Sequence, residues 1–190
     1  MAKSALIVIH EGFEDIETAA PIDVLTRAKV KVTLAGPQAG AVKGAWGTVL
    51  VADKAIADIE ELHDALVLPG GLKNAQALAA DARVLALIRG HLDAGKVVAS
   101  LCASPALVLA EAAGILKGRC AAGDPSFNDR LAAAGAAVRN QGVCVDGSII
   151  TATGPGSAIE FALTIAEALG CGETARQLRA KWLQPAERAL

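Results

Sequence analysis

The residue best placed to do covalent chemistry in this chain is Cys102. It interrupts Val97-Val98-Ala99-Ser100-Leu101-Cys102-Ala103-Ser104-Pro105-Ala106-Leu107, where an apolar β-type run ends and an apolar helical run begins at once. The pattern predicts a strand, a sharp turn and a helix, with the thiol on the turn. A helix start offers unpaired N–H groups and the positive end of the helix dipole. Both favour thiolate over thiol, and the thiolate is the nucleophile. The plain alternative is a small buried hydrophobe, the usual state of a free cysteine. Two features weigh against it. Ala103 and Ser104 are small and leave backbone N–H groups open, and Gly70-Gly71 ends another predicted strand. The N–H groups of Gly70, Gly71 and Ala103 together could cradle an oxyanion.

A thiol nucleophile usually works with a base, most often histidine. The chain has three histidines. His63, in Glu60-Glu61-Leu62-His63-Asp64, reads as a solvated loop residue, and His91 reads as a surface residue of its helix. His10 ends the first strand and either lines the site or is a plain strand-end residue. None adjoins Cys102, so no Cys-His pair exists at neighbouring positions. A carboxyl group is left. In Gly12-Phe13-Glu14-Asp15-Ile16-Glu17-Thr18, helical spacing puts Phe13, Ile16 and Ala20 on one face, with Glu14 and Asp15 directed to solvent. Glu17 borders the apolar stripe. It points either outward, in an acidic first turn, or inward over the strand ends; the outward orientation fits the spacing slightly better. If it meets the thiol, two anions in contact repel and the pair must share a proton.

The elements that must position these groups alternate along the chain. Strands are expected at Ala5–Ile9, Lys31–Ala35, Ala65–Leu68 and Val97–Leu101, and helices at Ile16–Arg27, Val84–Ala94, Ala106–Ala113 and Glu173–Leu183. Gly36–Trp46 reads as a glycine-rich loop before a short hairpin or edge strand at Thr48–Ala52. Cys120–Ala122 and Ala136–Arg139 read as short strands around a helix at Phe127–Ala134. Cys144–Ala152 reads as a hairpin turning at Asp146-Gly147. A capping box, Ser157-x-x-Glu160, opens a helix that runs to Leu169. Continuous apolar strands separated by helices predict a mainly parallel sheet covered on both faces. Ligand sites in such sheets lie beyond the carboxyl ends of the strands. Those ends are His10–Gly12, Pro69–Gly71, Cys102 and Thr151–Gly156, which adds Gly154 to the candidate lining.

Composition narrows the function classes. Of 190 residues, 18 are basic and 20 acidic, and no basic block suggests a nucleic-acid surface. Aromatics are 3% and tyrosine is absent, so stacking platforms for single strands are not expected. No apolar run is long enough to cross a bilayer. The N-terminal run lacks the length and cleavage pattern of a signal peptide, which points to a cytoplasmic protein. Cys102, Cys120, Cys144 and Cys171 are unevenly spaced, with no C-x-x-C and no histidine at ligand spacing. That argues against a metal site or disulfide framework and for reduced thiols, those other than Cys102 being structural or incidental.

These residues resemble the DJ-1/PfpI superfamily, and within it the DJ-1/ThiJ branch. The resemblance runs from about Lys3 to Leu169. It rests on Glu14–Thr18 with Pro21–Leu25, on Lys31–Gly36, on Val67-Leu68-Pro69-Gly70-Gly71, on Leu101–Leu107 and on Gly154–Leu163. It implies one domain over residues 1–190 with a flavodoxin-like three-layer α/β sandwich, a C-terminal helical tail at 173–190, and a homodimer with Arg27 at its interface. It also implies that Cys102 is the reactive cysteine and Glu17 the protonated glutamate beside it, with Gly70, Gly71 and Ala103 on the oxyanion side. The activities implied are cofactor-free. One is glyoxalase III-like conversion of methylglyoxal-type aldehydes to hydroxy acids, and another is deglycation of early glycation adducts. The alternative is a redox-sensing stress chaperone in which Cys102 becomes a sulfinic acid. The chain departs from the family pattern at three positions. Ala103 stands where the PfpI-type branch has histidine, Asp124 where DJ-1 has histidine, and Trp46 where a loop arginine is expected. Asp124 either raises the Cys102 pKa or faces solvent, and Trp46 would reshape the site rim.

Overall fold

A computed structural model describes Ala2–Leu183. Its seven-stranded sheet has the order β10-β11-β7-β6-β1-β2-β5. The strands are β1 (Ser4–Val8), β2 (Lys31–Gly36), β5 (Lys54–Ala55), β6 (Ala65–Leu68), β7 (Val97–Leu101), β10 (Val143–Asp146) and β11 (Ile149–Ala152). Every neighbouring pair is parallel except β10–β11. The chain leaves β1 for β2 on one side and later returns as β6 on the other. That reversal opens a crevice beyond the carboxyl ends of β1 and β6, where such folds bind ligands.

Strand alternation builds two cores, one on each face of the sheet. Ala5, Ile7 and Ile9 point to one side and pack with Phe13, Val24, Leu25 and Phe161. This layer carries helices α1 (Asp15–Arg27), α5 (Ala158–Ala168) and α6 (Gly172–Trp182). Leu6 and Val8 point to the other side and pack with Leu78, Val84, Ile88 and Leu109. That layer carries α2 (Leu72–Ala80), α3 (Ala82–Asp93), a π-helix at Pro105–Ala112 and α4 (Asn128–Ala133). The result is the flavodoxin-like sandwich that the run of apolar strands and helices implied. Part of the tail, residues 184–190, lies outside the described residues.

Local differences from the sequence reading have physical causes. The Gly36–Trp46 segment is not all loop: β3 (Gly40–Lys43) pairs antiparallel with β4 (Val49–Ala52), closing a small hairpin outside the main sheet. Helix α2 carries no wide apolar stripe and begins straight after Gly71, so periodicity did not reveal it. β8 (Cys120–Ala121) and β9 (Ala137–Val138) pair with each other as a separate parallel ladder. The capping box is not formed. Ser157 Oγ pairs with Thr153 Oγ1 at 2.7 Å, and the Glu160 carboxylate binds Arg179. A 3-10 turn at Pro155–Ser157 leads into α5 instead. The Asp-Gly hairpin does form, with Gly147 at φ +61 taking the first of two loop positions. His91 is buried rather than on the surface, its Nδ1 2.7 Å from the Leu87 carbonyl. His63 is half-buried, with Nε2 3.2 Å from Thr33 Oγ1.

Phe161 is fully buried in the α1/α5 core. Phe161→Ala should cost about 3–5 kcal/mol, from lost burial and the cavity left behind. The urea unfolding midpoint should fall with an unchanged slope.

Candidate active site

Cys102 follows β7 directly with φ +62, a left-handed conformation that a side chain with a Cβ rarely adopts. Backbone bonds hold it there. Its N–H donates to the Ala152 carbonyl at 3.0 Å, and its own carbonyl accepts the Asp124 N–H at 2.9 Å. Strain maintained in this way is characteristic of functional turns. Three residues on, the chain enters the π-helix, a geometry often found at functional sites.

Glu17 takes the inward orientation and is 0% exposed. It lies in the first turn of α1, whose N-cap is Glu14: the Glu14 carboxylate accepts the Glu17 N–H at 2.8 Å. Glu14 is therefore buried and engaged, not solvated as its spacing suggested. Ile16 is 56% exposed instead of sharing the inner face with Phe13. Asp15 accepts the N–H groups of Trp46 at 3.0 Å and Thr48 at 2.8 Å, tying the β3–β4 hairpin to the start of α1.

Gly70 is where the two groups meet. Its N–H donates to Glu17 Oε2 at 2.8 Å. A Cβ at Gly70 would lie 2.5 Å from both Glu17 Oε2 and Cys102 Cβ, and 3.0 Å from Cys102 Sγ. At Gly71, with φ +87, a Cβ would collide with the Gly12 carbonyl. Both positions therefore require glycine. The Gly70 N–H is spent on Glu17, so it cannot serve an oxyanion. The N–H groups of Gly71 and Ala103 are directed at the Cys102 sulfur and can. Two buried side chains fix this turn: Asn74 donates to the Pro69 and Gly70 carbonyls at 2.9 and 3.0 Å, and Ser104 Oγ donates to the Pro69 carbonyl at 2.6 Å. Sequence reading missed Asn74 because α2 itself was not evident. The signal available was an asparagine three residues after the double glycine.

The other expected lining residues divide. Asp124 Oδ2 is 3.9 Å from Cys102 Sγ, while Oδ1 accepts the Ser126 N–H and hydroxyl. Asp124 thus faces the thiol. Gly154 approaches Glu17, with a Cβ placed there 3.7 Å from Oε1. Trp46 is on the hairpin rim and 82% exposed. His10 turns its ring to Asp81, with Nε2 3.6 Å from Oδ2, while its backbone N–H donates to Asn74 at 2.6 Å. His10 therefore supports the turn through its backbone.

The electrostatics invert one expectation. Helix start and N–H groups were expected to lower the Cys102 pKa. Burial raises it first, then the Glu17 charge, and the Gly71 and Ala103 N–H groups recover only part, leaving the thiol pushed up to about 12. Burial likewise pushes Glu17 up to about 7, against the pull of the Gly70 N–H and the thiol, with Glu14 and Asp124 adding to the rise. The two groups interact directly and titrate together. The pair keeps an extra proton until about pH 7.

Unfolded, a glutamate loses its proton near 4.5. The stability contributed by the retained proton is complete below that pH and is lost as pH rises through about 7, a loss of about 3 kcal/mol. Glu17→Gln removes this titration. Unfolding free energy measured by urea across pH 4–8 should fall with pH in the wild type and be nearly flat in the variant, once slopes common to both are subtracted. Parallel curves would show that Glu17 does not titrate in this range.

A model of the DJ-1/PfpI family matches residues 3–168. The chain is 37% identical over 180 residues to Protein dj-1beta of Drosophila melanogaster, spanning 94% of this chain and 95% of that one. It is 33% identical over 169 residues to the glutathione-independent glyoxalase DJR-1.2 of Caenorhabditis elegans, spanning 88% and 89% of the two chains. Oxidized Toxoplasma gondii DJ-1 superposes with a TM-score of 0.89 at 35% identity, over 97% of this chain and all of that one. With a family model matched along most of its length and relatives this similar, the chain belongs to the DJ-1/PfpI family.

Proposed function

We propose that the chain is a cofactor-independent, glyoxalase-type enzyme that converts methylglyoxal-like α-oxoaldehydes to hydroxy acids. The observation that carries this is a cysteine and a buried glutamate brought together at Gly70, beside the Gly71 and Ala103 N–H groups. Above about pH 7 the pair holds a single proton, and in the reacting form that proton sits on Glu17, which leaves sulfur as the thiolate. The thiolate then accepts from the Gly71 and Ala103 N–H groups and from a neutral Glu17. Sγ adds to the aldehyde carbon, and the carbonyl oxygen takes the Glu17 proton, giving a hemithioacetal. Glu17, now a carboxylate, removes the C1 hydrogen as a proton and returns it to C2. The hydroxyl proton passes from the C1 oxygen to the C2 oxygen. The product is a thioester of the hydroxy acid, and water cleaves it to release the acid and free Cys102. The relative named as a glutathione-independent glyoxalase supports this reading.

Purified protein incubated with methylglyoxal should form lactate. Cys102→Ser should abolish it, and Glu17→Gln should lower it about 100-fold or more, since an amide cannot shuttle the proton. Lactate formation unchanged in Cys102→Ser would sink the mechanism. The rate of Cys102 alkylation should inflect near pH 7 in the wild type. In Glu17→Gln the inflection should move up toward the ordinary thiol value of 9.0 or beyond. A wild-type inflection at or above 9.0 would remove the thiolate premise.

A second reading, redox sensing, is favoured by the partial exposure of Cys102. Its thiolate would attack a peroxide oxygen to form a sulfenic acid, and a second peroxide would give the sulfinic acid. Intact mass and peptide mapping after mild peroxide would show two added oxygens at Cys102. Uptake no faster than at Cys171 would exclude the sensor.

The active unit is proposed to be a homodimer joined through α1. Ile16 and Ile159 are 56% and 37% exposed. With Ala20, Val24 and Trp182 they line a cavity of about 400 Å³. Arg27 stands 5.0 Å over the Trp182 ring and is braced by Asp23. Ile16→Glu should convert the sedimenting species from dimer to monomer.

A further inference from the structure

We propose that Cys120 and Cys144 form a second thiol site, which hydroperoxides oxidise to an intramolecular disulfide independently of Cys102. The two residues are 24 apart in sequence, but β8 brings them together. On β10, Cys144 and Asp146 point to the same face, because side chains two apart in a strand do so. Asp146 Oδ2 accepts the Cys120 N–H at 2.8 Å, so that face is the one covered by β8. Thr151 stands directly opposite Cys144 in the β10–β11 ladder, and its Oγ1 accepts the Ala122 N–H at 2.9 Å. The β8 segment is therefore pinned from Cys120 to Ala122 over the surface that presents Cys144. The two thiols also sense each other: charge at Cys120 raises the Cys144 thiol.

The two sulfurs are equipped for different steps. Cys120 is half-exposed, and Arg139 Nη2 donates to its Sγ at 3.2 Å. Arg139 is held there by β9, its N–H donating to the Ala121 carbonyl at 2.8 Å. A guanidinium stays charged at any working pH, so a Cys120 thiolate has a fixed counter-charge and a donor. Asp146, the carboxylate beside the pair, is occupied by Arg119 at 3.1 Å as well as by the Cys120 N–H. Cys144 is buried, and burial raises its thiol, so it stays protonated and shielded until its neighbour reacts. Cys171 is half-exposed like Cys120 but has no arginine partner among the described residues, and it serves as an internal control.

The chemistry balances with hydrogen peroxide as oxidant. The Cys120 thiolate attacks one peroxide oxygen; an S–O bond forms, the O–O bond breaks and hydroxide leaves. Cys144 gives up its proton and its sulfur attacks Cys120 Sγ. The S–S bond forms, the S–O bond breaks and water departs. Two thiols and one peroxide yield one disulfide and two waters.

The experiment is mild hydrogen peroxide treatment of the full chain, followed by non-reducing peptide mapping. A cross-linked pair of peptides carrying Cys120 and Cys144, lighter by two hydrogens, should accumulate while Cys171 stays a thiol. Cys144→Ser should block the cross-link and leave a sulfenic acid on Cys120 that a dimedone probe traps. Arg139→Gln should slow cross-linking, because the donor and fixed charge at Cys120 Sγ are lost. The proposal is overturned if no cross-link forms, if Cys171 oxidises as fast, or if Arg139→Gln matches the wild-type rate.

Discussion

The close approach of the Gly70 backbone to Glu17 and Cys102 is the constraint on which the site depends. A glycine there lets one N–H bind the Glu17 carboxyl at 2.8 Å while leaving no Cβ to separate that carboxyl from the thiol. Everything nearby serves to keep this turn in place. Asn74 and Ser104 bind its carbonyls, Gly71 clears the Gly12 loop, and Glu14 caps the helix that delivers Glu17. The sheet contributes by ending β1, β6 and β7 at one level, so that three loops from distant parts of the chain meet at a single point.

Burial, not the helix end, dominates the electrostatics. A partial positive charge at a helix start is worth a fraction of a kcal/mol to about 2 kcal/mol. Removing a thiolate and a carboxylate from water costs more, so both groups hold protons more tightly than in solution. The consequence is useful. A carboxyl that retains its proton to about pH 7 can both donate and accept near neutrality, which a surface glutamate cannot. In the proposed mechanism, with no histidine beside Cys102, the Glu17 proton takes the place of an imidazole base.

The second thiol site shows the opposite arrangement. Cys120 has an arginine donating to its sulfur, while Cys102, also partly exposed, has a glutamate and a tight cradle. One environment offers a thiolate a fixed charge, the other a carboxyl whose proton can move. Only the second could return a proton to a substrate carbon, as the proposed mechanism requires of Glu17 beside Cys102.

Much of this was legible in the sequence. Short apolar runs such as Ala5–Ile9 and Val97–Leu101 read as strands buried on both faces, and the Cys102 turn and Gly70-Gly71 stand out as breaks in such runs. Family resemblance then pointed to Glu17. Local pattern could not supply what depends on distance through space. Helical spacing left Glu17 with two orientations, put Ile16 inside and Glu14 outside, and gave His91 to the surface. The tertiary structure decided each case, because burial is set by which elements pack overhead and not by the neighbours in the chain. It also decided the sign of the Cys102 shift and the meeting of Cys120, Cys144 and Arg139. Those depend on the summed field and contacts of residues that the sequence lists far apart and only the folded sheet brings together.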